Sequence, residues 1–207
     1  YATSGTRPIV RFFGGALDQV SCGAPDLVER AYRDGAPMGS EIGPVRGAAS
    51  PRFLVHALAD PGSASSPGAP LERIQIVKGW VGADGQAHEK VIDVAGVATT
   101  GRAVDADCRP LAPGASELCT VWEDPEFAPA QRAFYHARVL EVPTCRWSTL
   151  VCRDAGVDPF AADCAAQAER AGSDFAACCT DPESASFYEP VIRERAWTSP
   201  IWYRPEA

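Results

Sequence analysis

Apolar and polar residues alternate along several short stretches of the chain, and a period of two predicts β-strands. The clearest alternation is in Leu71–Val81 and His88–Val94, which flank Asp84-Gly85, a dipeptide typical of a tight hairpin turn. These two stretches should therefore pair as an antiparallel hairpin. The apolar residues predicted to meet across it are Ile74, Ile76, Trp80, Ile92 and Val94.

Other strand-like segments lie on both sides of this hairpin. They are Tyr1–Phe13, Phe53–Ala59, Glu117–Trp122, Ala133–Val142 and Glu194–Tyr203. The segments Glu117–Trp122 and Ala133–Val142 should form a second pair of arms. In its second arm we expect Tyr135, Ala137 and Val139 to face inward, and His136 and Arg138 to face outward. Short strands without intervening helices favour an antiparallel sandwich or a barrel-like module.

Composition divides the chain into four parts. They are residues 1–45 (a strand and an irregular Gly- and Pro-rich connection), 46–148 (the β-sandwich module), 149–188 (a Cys-rich helical insertion) and 189–207 (a C-terminal strand and tail). In the insertion, Asp158-Pro159 should begin a helix that ends at Gly172. The predicted fold class is therefore mainly β, an antiparallel β-sandwich-like module with a small helical insertion stapled by disulfides.

The cysteines indicate an oxidising environment. They are Cys22, Cys108, Cys119, Cys145, Cys152, Cys164, Cys178 and Cys179. An even number at this density, without CxxC pairs, is typical of disulfides in a periplasmic or extracellular protein. The alternative is a cytosolic protein with buried thiols, which does not explain the adjacent Cys178 and Cys179.

The spacing of the cysteines along the chain suggests some of the disulfide pairs, although eight cysteines allow 105 connectivities. We expect Cys108 to bond Cys119 across a short loop. Cys145 and Cys152 should bond the insertion through Cys164, Cys178 or Cys179. The last two residues are adjacent, so they should reach different partners.

The net charge of the chain limits the classes of molecule that it is expected to bind. The formal net charge is −8 and no basic stripe is present, which argues against a nucleic-acid partner. No apolar run reaches the length of a membrane span. The chain opens on Tyr1 rather than on a signal peptide, so we expect it to be part of a longer exported precursor.

Several strings, taken in order, resemble the carboxy-terminal portion of the bacterial family called domain of unknown function 3604 (DUF3604). They are YATSGTR, VRFFGG, PMGSEIG, PRFLVHALADPG, LERIQIVKGW, DPEFAPAQRAFYHARVLEVPTCRWS and RERAWTSPIWY. The resemblance covers most of residues 1–148 and 189–203. Residues 149–188 depart from it and carry no family motif.

Members of this family resemble the polymerase-and-histidinol-phosphatase superfamily of metal-dependent hydrolases. The resemblance implies an amino-terminal α/β barrel whose divalent metals activate water to attack a phosphoester or other ester. The metal ligands would lie upstream of Tyr1, with no cofactor in this chain, and YATSGTR would be the last barrel strand. The expected function is thus a largely non-catalytic module of an exported hydrolase, partnered by that barrel. The alternative is a disulfide-stabilised structural or interaction subunit of an extracellular or periplasmic assembly.

Few side chains in the chain are candidates for chemistry. His56, His88 and His136 are scattered, and we expect the first to be half-buried and the other two exposed. Arg7, at the end of the implied barrel strand, could bind a substrate anion, with a surface ion pair as the alternative. Glu41 could lie near the barrel mouth, with a solvated turn carboxylate as the alternative. The five tryptophans could stack on sugars, but packing is the favoured interpretation.

Overall fold

The computed structural model describes residues 1–45, 50–64, 67–100, 103–105, 107–179 and 189–205. The chain divides into a first unit of Tyr1–Ala98, Gly114–Glu141 and Glu194–Ala207, and a second unit of Thr99–Pro113 and Val142–Arg193. Parts of the predicted domains lie outside the described residues: residues 46–49, 65–66, 101–102 and 106 of the predicted sandwich module, residues 180–188 of the predicted insertion, and residues 206–207 of the predicted tail.

Strands dominate the described residues, as predicted. In chain order they are β1 (Ala2–Thr3), β2 (Ile9–Gly15), β3 (Gly35–Pro37), β4 (Glu41–Ile42), β5 (Arg52–Leu58), β6 (Leu71–Val81), β7 (Ala87–Gly96), β8 (Glu117–Glu123), β9 (Ala133–Glu141), β10 (Thr144–Cys145), β11 (Val191–Ile192), β12 (Arg195–Trp197) and β13 (Ile201–Tyr203). The helices are α1 (Leu27–Asp34), α2 (Trp147–Asp154), α3 (Cys164–Ala171) and a 3-10 helix over Ser173–Cys178. The predicted strand over residues 1–13 is therefore two strands, β1 and β2.

Two sheets make up the first unit. The larger contains β7, β6, β9, β12, β13, β1 and β4, and β9 runs through its middle. Its pairings are antiparallel except that of β13 with β4. The smaller sheet has the order β3-β2-β5-β8 and is antiparallel throughout.

The main core lies between these sheets and confirms the predicted sandwich. Phe12 and Phe53 enter it from the smaller sheet, and Ile76 and Tyr135 enter it from the larger one. All four side chains are fully buried, and the ring centroids of Phe53 and Tyr135 are 4.3 Å apart. Burial of this much aromatic and aliphatic surface is the main stabilising contribution to the unit.

Helix α1 covers the other face of the smaller sheet. Leu27 and Ala31, four residues apart and hence on one side of the helix, pack with Phe13 and Leu54. The sequence predicted only an irregular connection here. The prediction was wrong because two buried positions in an eight-residue helix give little apolar periodicity.

The hairpin at Asp84-Gly85 is confirmed, and Ile76 faces Ile92 across it. The second predicted pair of arms is wrong. Strand β8 pairs with β5 in the smaller sheet, whereas β9 pairs with β6 in the larger one, so the connection between β8 and β9 crosses from sheet to sheet. The predicted inward residues of β9 are nevertheless correct, because Tyr135, Ala137 and Val139 are buried.

The second unit has a small core of its own. Cys152, Cys164 and Cys178 are buried in it with Val157 and Ala168. Two disulfides inside this core connect α2, α3 and the 3-10 helix. None of the helices among the described residues is long and apolar enough to cross a membrane.

The predicted helix of the insertion begins later than expected. Asp158 and Pro159 form a turn, in which the Asp158 carboxylate accepts a hydrogen bond from the Phe160 backbone N–H. Helix α3 starts only at Cys164 and ends, as predicted, at Gly172.

All eight cysteines form disulfides, which confirms the predicted disulfide framework, and four bonds are consistent with an oxidising environment. The pairs are Cys22–Cys119, Cys108–Cys145, Cys152–Cys178 and Cys164–Cys179. The bond of Cys152 to the insertion is confirmed, as are the different partners of Cys178 and Cys179.

Two expected pairings were wrong, Cys108 with Cys119 and Cys145 with the insertion. Alternation along β8 sends Leu118 into the main core and Cys119 to the opposite face, where α1 and Cys22 lie. Cys108 instead bonds Cys145 within the second unit.

Candidate functional site

The segment Tyr1–Arg7 is fastened to the sandwich of the first unit. Strand β1 pairs with β12, and the Ser4 backbone N–H donates to the Arg195 carbonyl at 2.9 Å. The Ser4 hydroxyl donates to the Glu194 carboxylate. Gly5 lies close to the same carboxyl group, and its lack of a side chain allows this approach. A Cβ at this position would lie only 3.1 Å from the Glu194 carboxyl group. The motif YATSGTR thus places small residues where the segment meets the sheet.

Thr6 makes the most buried contact of this segment. Its hydroxyl donates to Oε1 of Glu141 at 2.6 Å, and Glu141 is fully buried at the end of β9. The second carboxyl oxygen, Oε2, has no hydrogen-bond partner among the described residues. A buried carboxyl oxygen without a partner is destabilising. The environment of the Glu141 carboxyl group is therefore electrostatically unfavourable, and ionisable groups in such environments are common at functional sites.

Burial raises the pKa of Glu141 to about 7. The hydrogen bond from Thr6 opposes this increase, and the negative charges of Glu194 and Asp60 add to it. Near neutral pH the carboxyl group is consequently divided between its protonated and ionised forms. It can accept, hold or release a proton in this range.

Arg7 follows Thr6 and lies beside Asp60. Its backbone N–H donates to the Asp60 carboxylate at 2.9 Å, and its Nε is 3.6 Å from the same oxygen. Backbone hydrogen bonds from Gly62 and Arg7 hold the pKa of Asp60 below its ordinary value. The Arg7 side chain is 85% exposed, so the guanidinium is accessible while its backbone is fixed. Its role in binding an anion stays a prediction.

Glu41 is in a different part of the first unit. It lies on β4 next to β13, where its carboxylate is 2.7 Å from Nε of Arg204. Among the described residues, no contact joins Glu41 to the segment Tyr1–Arg7, and its functional role also stays a prediction.

The three histidines have separate surroundings. His56 Nε2 lies 2.8 Å from Glu117, and His88 Nε2 lies 3.3 Å from Asp84. His136 faces away from the main core as predicted, but it is partly buried rather than exposed, and burial lowers its pKa.

Metal ligation does not fit the described residues. No group of three or more His, Cys, Asp or Glu side chains among them is placed to hold a metal ion. Glu141, Glu194 and Asp60 influence one another electrostatically, but they do not form such a group. What this cluster offers is a set of hydroxyl and carboxylate contacts that anchors Tyr1–Arg7.

A family model described as "Protein of unknown function (DUF3604)" matches residues 1–174. The chain belongs to the DUF3604 family. The matched range contains Ser4, Thr6, Asp60 and Glu141, but it ends before Glu194. We found no match among curated proteins and none among solved structures.

The range of the match corrects one expectation. Residues 149–174, which we expected to depart from DUF3604, lie within the matched range, whereas residues 189–203 lie outside it. Helices α2 and α3 therefore fall in the family-matched part of the chain.

Sequence reasoning missed Glu141 and the contacts of Ser4 and Thr6. One signal was available. Glu141 lies in the string VLEV, between residues that alternation and hydrophobicity both place in a sheet, so an acidic residue there is unusual. Its partners could not be identified, because Thr6 is 135 residues away along the chain.

Proposed function

We propose that this chain is the largely non-catalytic β-sandwich module of an exported, metal-dependent hydrolase of phosphoesters or related esters. The module supports a metal-binding barrel that belongs to the same precursor, in keeping with the resemblance to the polymerase-and-histidinol-phosphatase superfamily. The four disulfides support export to a periplasmic or extracellular location.

The main observation that supports this proposal is the attachment of Tyr1–Arg7 to the sandwich. By resemblance this segment is the last strand of the barrel, and by its contacts it belongs to the sandwich. Hydroxyl–carboxylate and amide–carboxylate hydrogen bonds are directional, so they fix the orientation of the segment as well as its position. The role of the module is therefore to position a strand of the barrel. The module holds the strand whose end bears Arg7 and leaves that guanidinium accessible.

Substitution of Thr6 in the precursor tests this role. Thr6→Val removes the hydroxyl that binds Glu141 and keeps the side-chain shape, and Thr6→Ser restores the hydroxyl. We expect Thr6→Val to lower kcat for hydrolysis of 4-nitrophenyl phosphate esters about tenfold, because a small displacement of positioned groups slows the reaction. Metal content should not change, and Thr6→Ser should recover most of the rate.

Thr100→Val is the matched control, since Thr100 is exposed and the same atoms are exchanged. Equal kcat values for the Thr6→Val and Thr100→Val variants would contradict the positioning role. Purification of the native protein in a large, stable complex with unrelated chains, without hydrolase activity, would favour a structural subunit instead.

A further inference from the structure

The outer face of the larger sheet carries a row of side chains that spans five strands. Cross-strand pairing aligns Glu89 on β7, Gly79 on β6, Phe134 on β9, Trp202 on β13 and Glu41 on β4. Neighbours in such a row point to the same face of a sheet. The row lies away from the main core and entirely within the first unit.

Aromatic rings form the floor of this row. Phe134 lies across Gly79 so closely that a Cβ there would be 2.2 Å from the ring. Trp202 stands beside it, with ring centroids 5.3 Å apart and planes at 54°. Trp202 is 48% exposed, although packing was the favoured interpretation for the tryptophans. The absence of a side chain at Gly79 thus creates an open aromatic platform.

A groove of about 560 Å³ lies over this platform. Its volume falls in the range of small-ligand sites, which is roughly 300–1,000 Å³. The groove is also lined by Trp80, Val81 and His88, and its charged lining residues Glu89, Arg132 and Arg204 are called the rim.

The rim carries both hydrogen-bond donors and hydrogen-bond acceptors. Arg132 and Glu89 are exposed, and neither side chain makes a hydrogen bond or an ion pair within the part of the chain that the structure describes. Arg204 is paired with Glu41 at 2.7 Å. Among the charged groups that line the groove, Glu89 balances Arg132, and Glu41, which lies outside the lining, balances Arg204, so these four charges sum to zero. The rim can therefore both donate to a ligand and accept from it, without favouring either sign of charge.

We propose that this groove binds a neutral carbohydrate chain, with one pyranose ring stacked against Trp202 and Phe134. The C–H face of a sugar matches the electron-rich face of an aromatic ring, and its hydroxyl groups can accept from Arg132 and donate to Glu89. A planar aromatic ligand fits less well because rings inclined at 54° form no parallel slot. An anionic ligand would gain from Arg132 but would be repelled by Glu89.

This site is separate from the Glu141 cluster and does not depend on the proposed hydrolase function. Its aromatic floor and Glu89 come from β6, β7, β9 and β13, and Arg132 and Arg204 directly flank β9 and β13, whereas the cluster involves Tyr1–Arg7 and the opposite end of β9.

Titration of the whole chain with defined oligosaccharides tests the proposal. The probes are hexasaccharides of β-1,4-glucan, β-1,4-mannan, β-1,4-xylan and α-1,4-glucan, with hexagalacturonate as the acidic probe. We expect saturable binding of at least one neutral hexasaccharide by calorimetry, with a Kd below about 1 mM. Trp202→Ala should weaken that binding at least about tenfold, as loss of a central aromatic contact does in other recognition sites.

Trp147→Ala is the matched control, because Trp147 is the other strongly exposed tryptophan among the described residues, at 77%, and belongs to the second unit. It should bind as wild type does. Thermal unfolding of both variants shows whether either has lost its fold, and Glu89→Gln gives an independent test of the rim through a smaller loss of affinity.

Three results would overturn the proposal. The first is failure of every neutral hexasaccharide to bind the wild-type chain. The second is binding of hexagalacturonate alone, which would make the ligand an anion. The third is equal loss of binding in the Trp202→Ala and Trp147→Ala variants. Self-association that Trp202→Ala abolishes, without sugar binding, would assign the platform to a contact between copies of the chain.

Discussion

Glu141 is the residue at which burial, hydrogen bonding and charge are most clearly opposed. Its carboxyl group has a pKa of about 7 in the folded chain, against an ordinary value of 4.5. Below pH 4.5 the group is protonated in both the folded and the unfolded chain, so burial costs no ionisation energy. As the pH rises to 7, the unfolded chain ionises first. The folded state consequently loses roughly 3 kcal/mol of stability, and the loss persists at higher pH.

Glu141→Gln should remove this dependence, since an amide does not titrate. We expect the free energy of unfolding of the wild type to contain a decrease of about 2 kcal/mol between pH 5 and pH 8 that the variant lacks. Urea unfolding at both pH values measures the difference, with exposed Glu169→Gln as the control. Parallel pH profiles for wild type and Glu141→Gln would contradict the assignment.

A buried ion pair, Lys78 with Asp124, lies beside Tyr135 of the main core. Nζ of Lys78 is 2.5 Å from the carboxylate of Asp124, which also accepts a hydrogen bond from the Tyr135 hydroxyl at 2.8 Å. Lys78 and Asp124 are each only 4% exposed. Removal of one partner from such a pair leaves an uncompensated charge in the core.

Asp124→Ala should therefore lower the free energy of unfolding by about 3–5 kcal/mol. Tyr135→Phe removes one hydrogen bond and keeps the ion pair, so its effect should be about 1–2 kcal/mol. Chemical denaturation of the two variants at the same pH compares them directly. A smaller loss for Asp124→Ala than for Tyr135→Phe would show that Lys78 finds another partner.

At the scale of elements, the reliability of sequence-based prediction follows the sequence distance between partners. The β6–β7 hairpin is correct because its pairing and turn are adjacent in the chain. The expected β8–β9 pairing failed because alternation identifies a strand but not its neighbour, and β5 and β6 compete for those positions. Lys78 could have been noticed, since alternation places it on the inward side of β6 between Ile76 and Trp80.

The disulfide Cys22–Cys119 should contribute more stability than Cys164–Cys179. The first closes a loop over a separation of 97 residues and the second over 15. Loop-closure entropy predicts losses of about 5 and about 3 kcal/mol on replacing each pair with alanine. Urea unfolding of the two double variants, Cys22→Ala with Cys119→Ala and Cys164→Ala with Cys179→Ala, measures both. A larger loss for the Cys164–Cys179 pair would contradict the prediction. It would mean that the contacts of the disulfides in the folded state determine these losses more than loop-closure entropy in the unfolded chain does.

For the whole molecule, period-two patterns were sufficient to predict a mainly β sandwich, and the number and density of cysteines were sufficient to predict disulfides. Neither predicts which distant residues meet. The contact of Thr6 with Glu141 and the row from Glu89 to Trp202 both depend on pairing across β9, which only the folded chain shows. The candidate site could therefore be anticipated as a segment, YATSGTR, but not as a geometry.

The function proposed for the molecule requires that the precursor contain a metal-binding barrel, which this module would support. The most direct measurement is hydrolysis of 4-nitrophenyl phosphate and bis(4-nitrophenyl) phosphate by the precursor, together with elemental analysis of the same sample. We predict divalent metal bound to the precursor, hydrolysis that stops after treatment with chelator, and recovery when Mn²⁺ or Zn²⁺ is restored. A precursor that holds no metal after incubation with these ions and cleaves neither ester, or one whose hydrolysis is unchanged by complete metal removal, would contradict the account.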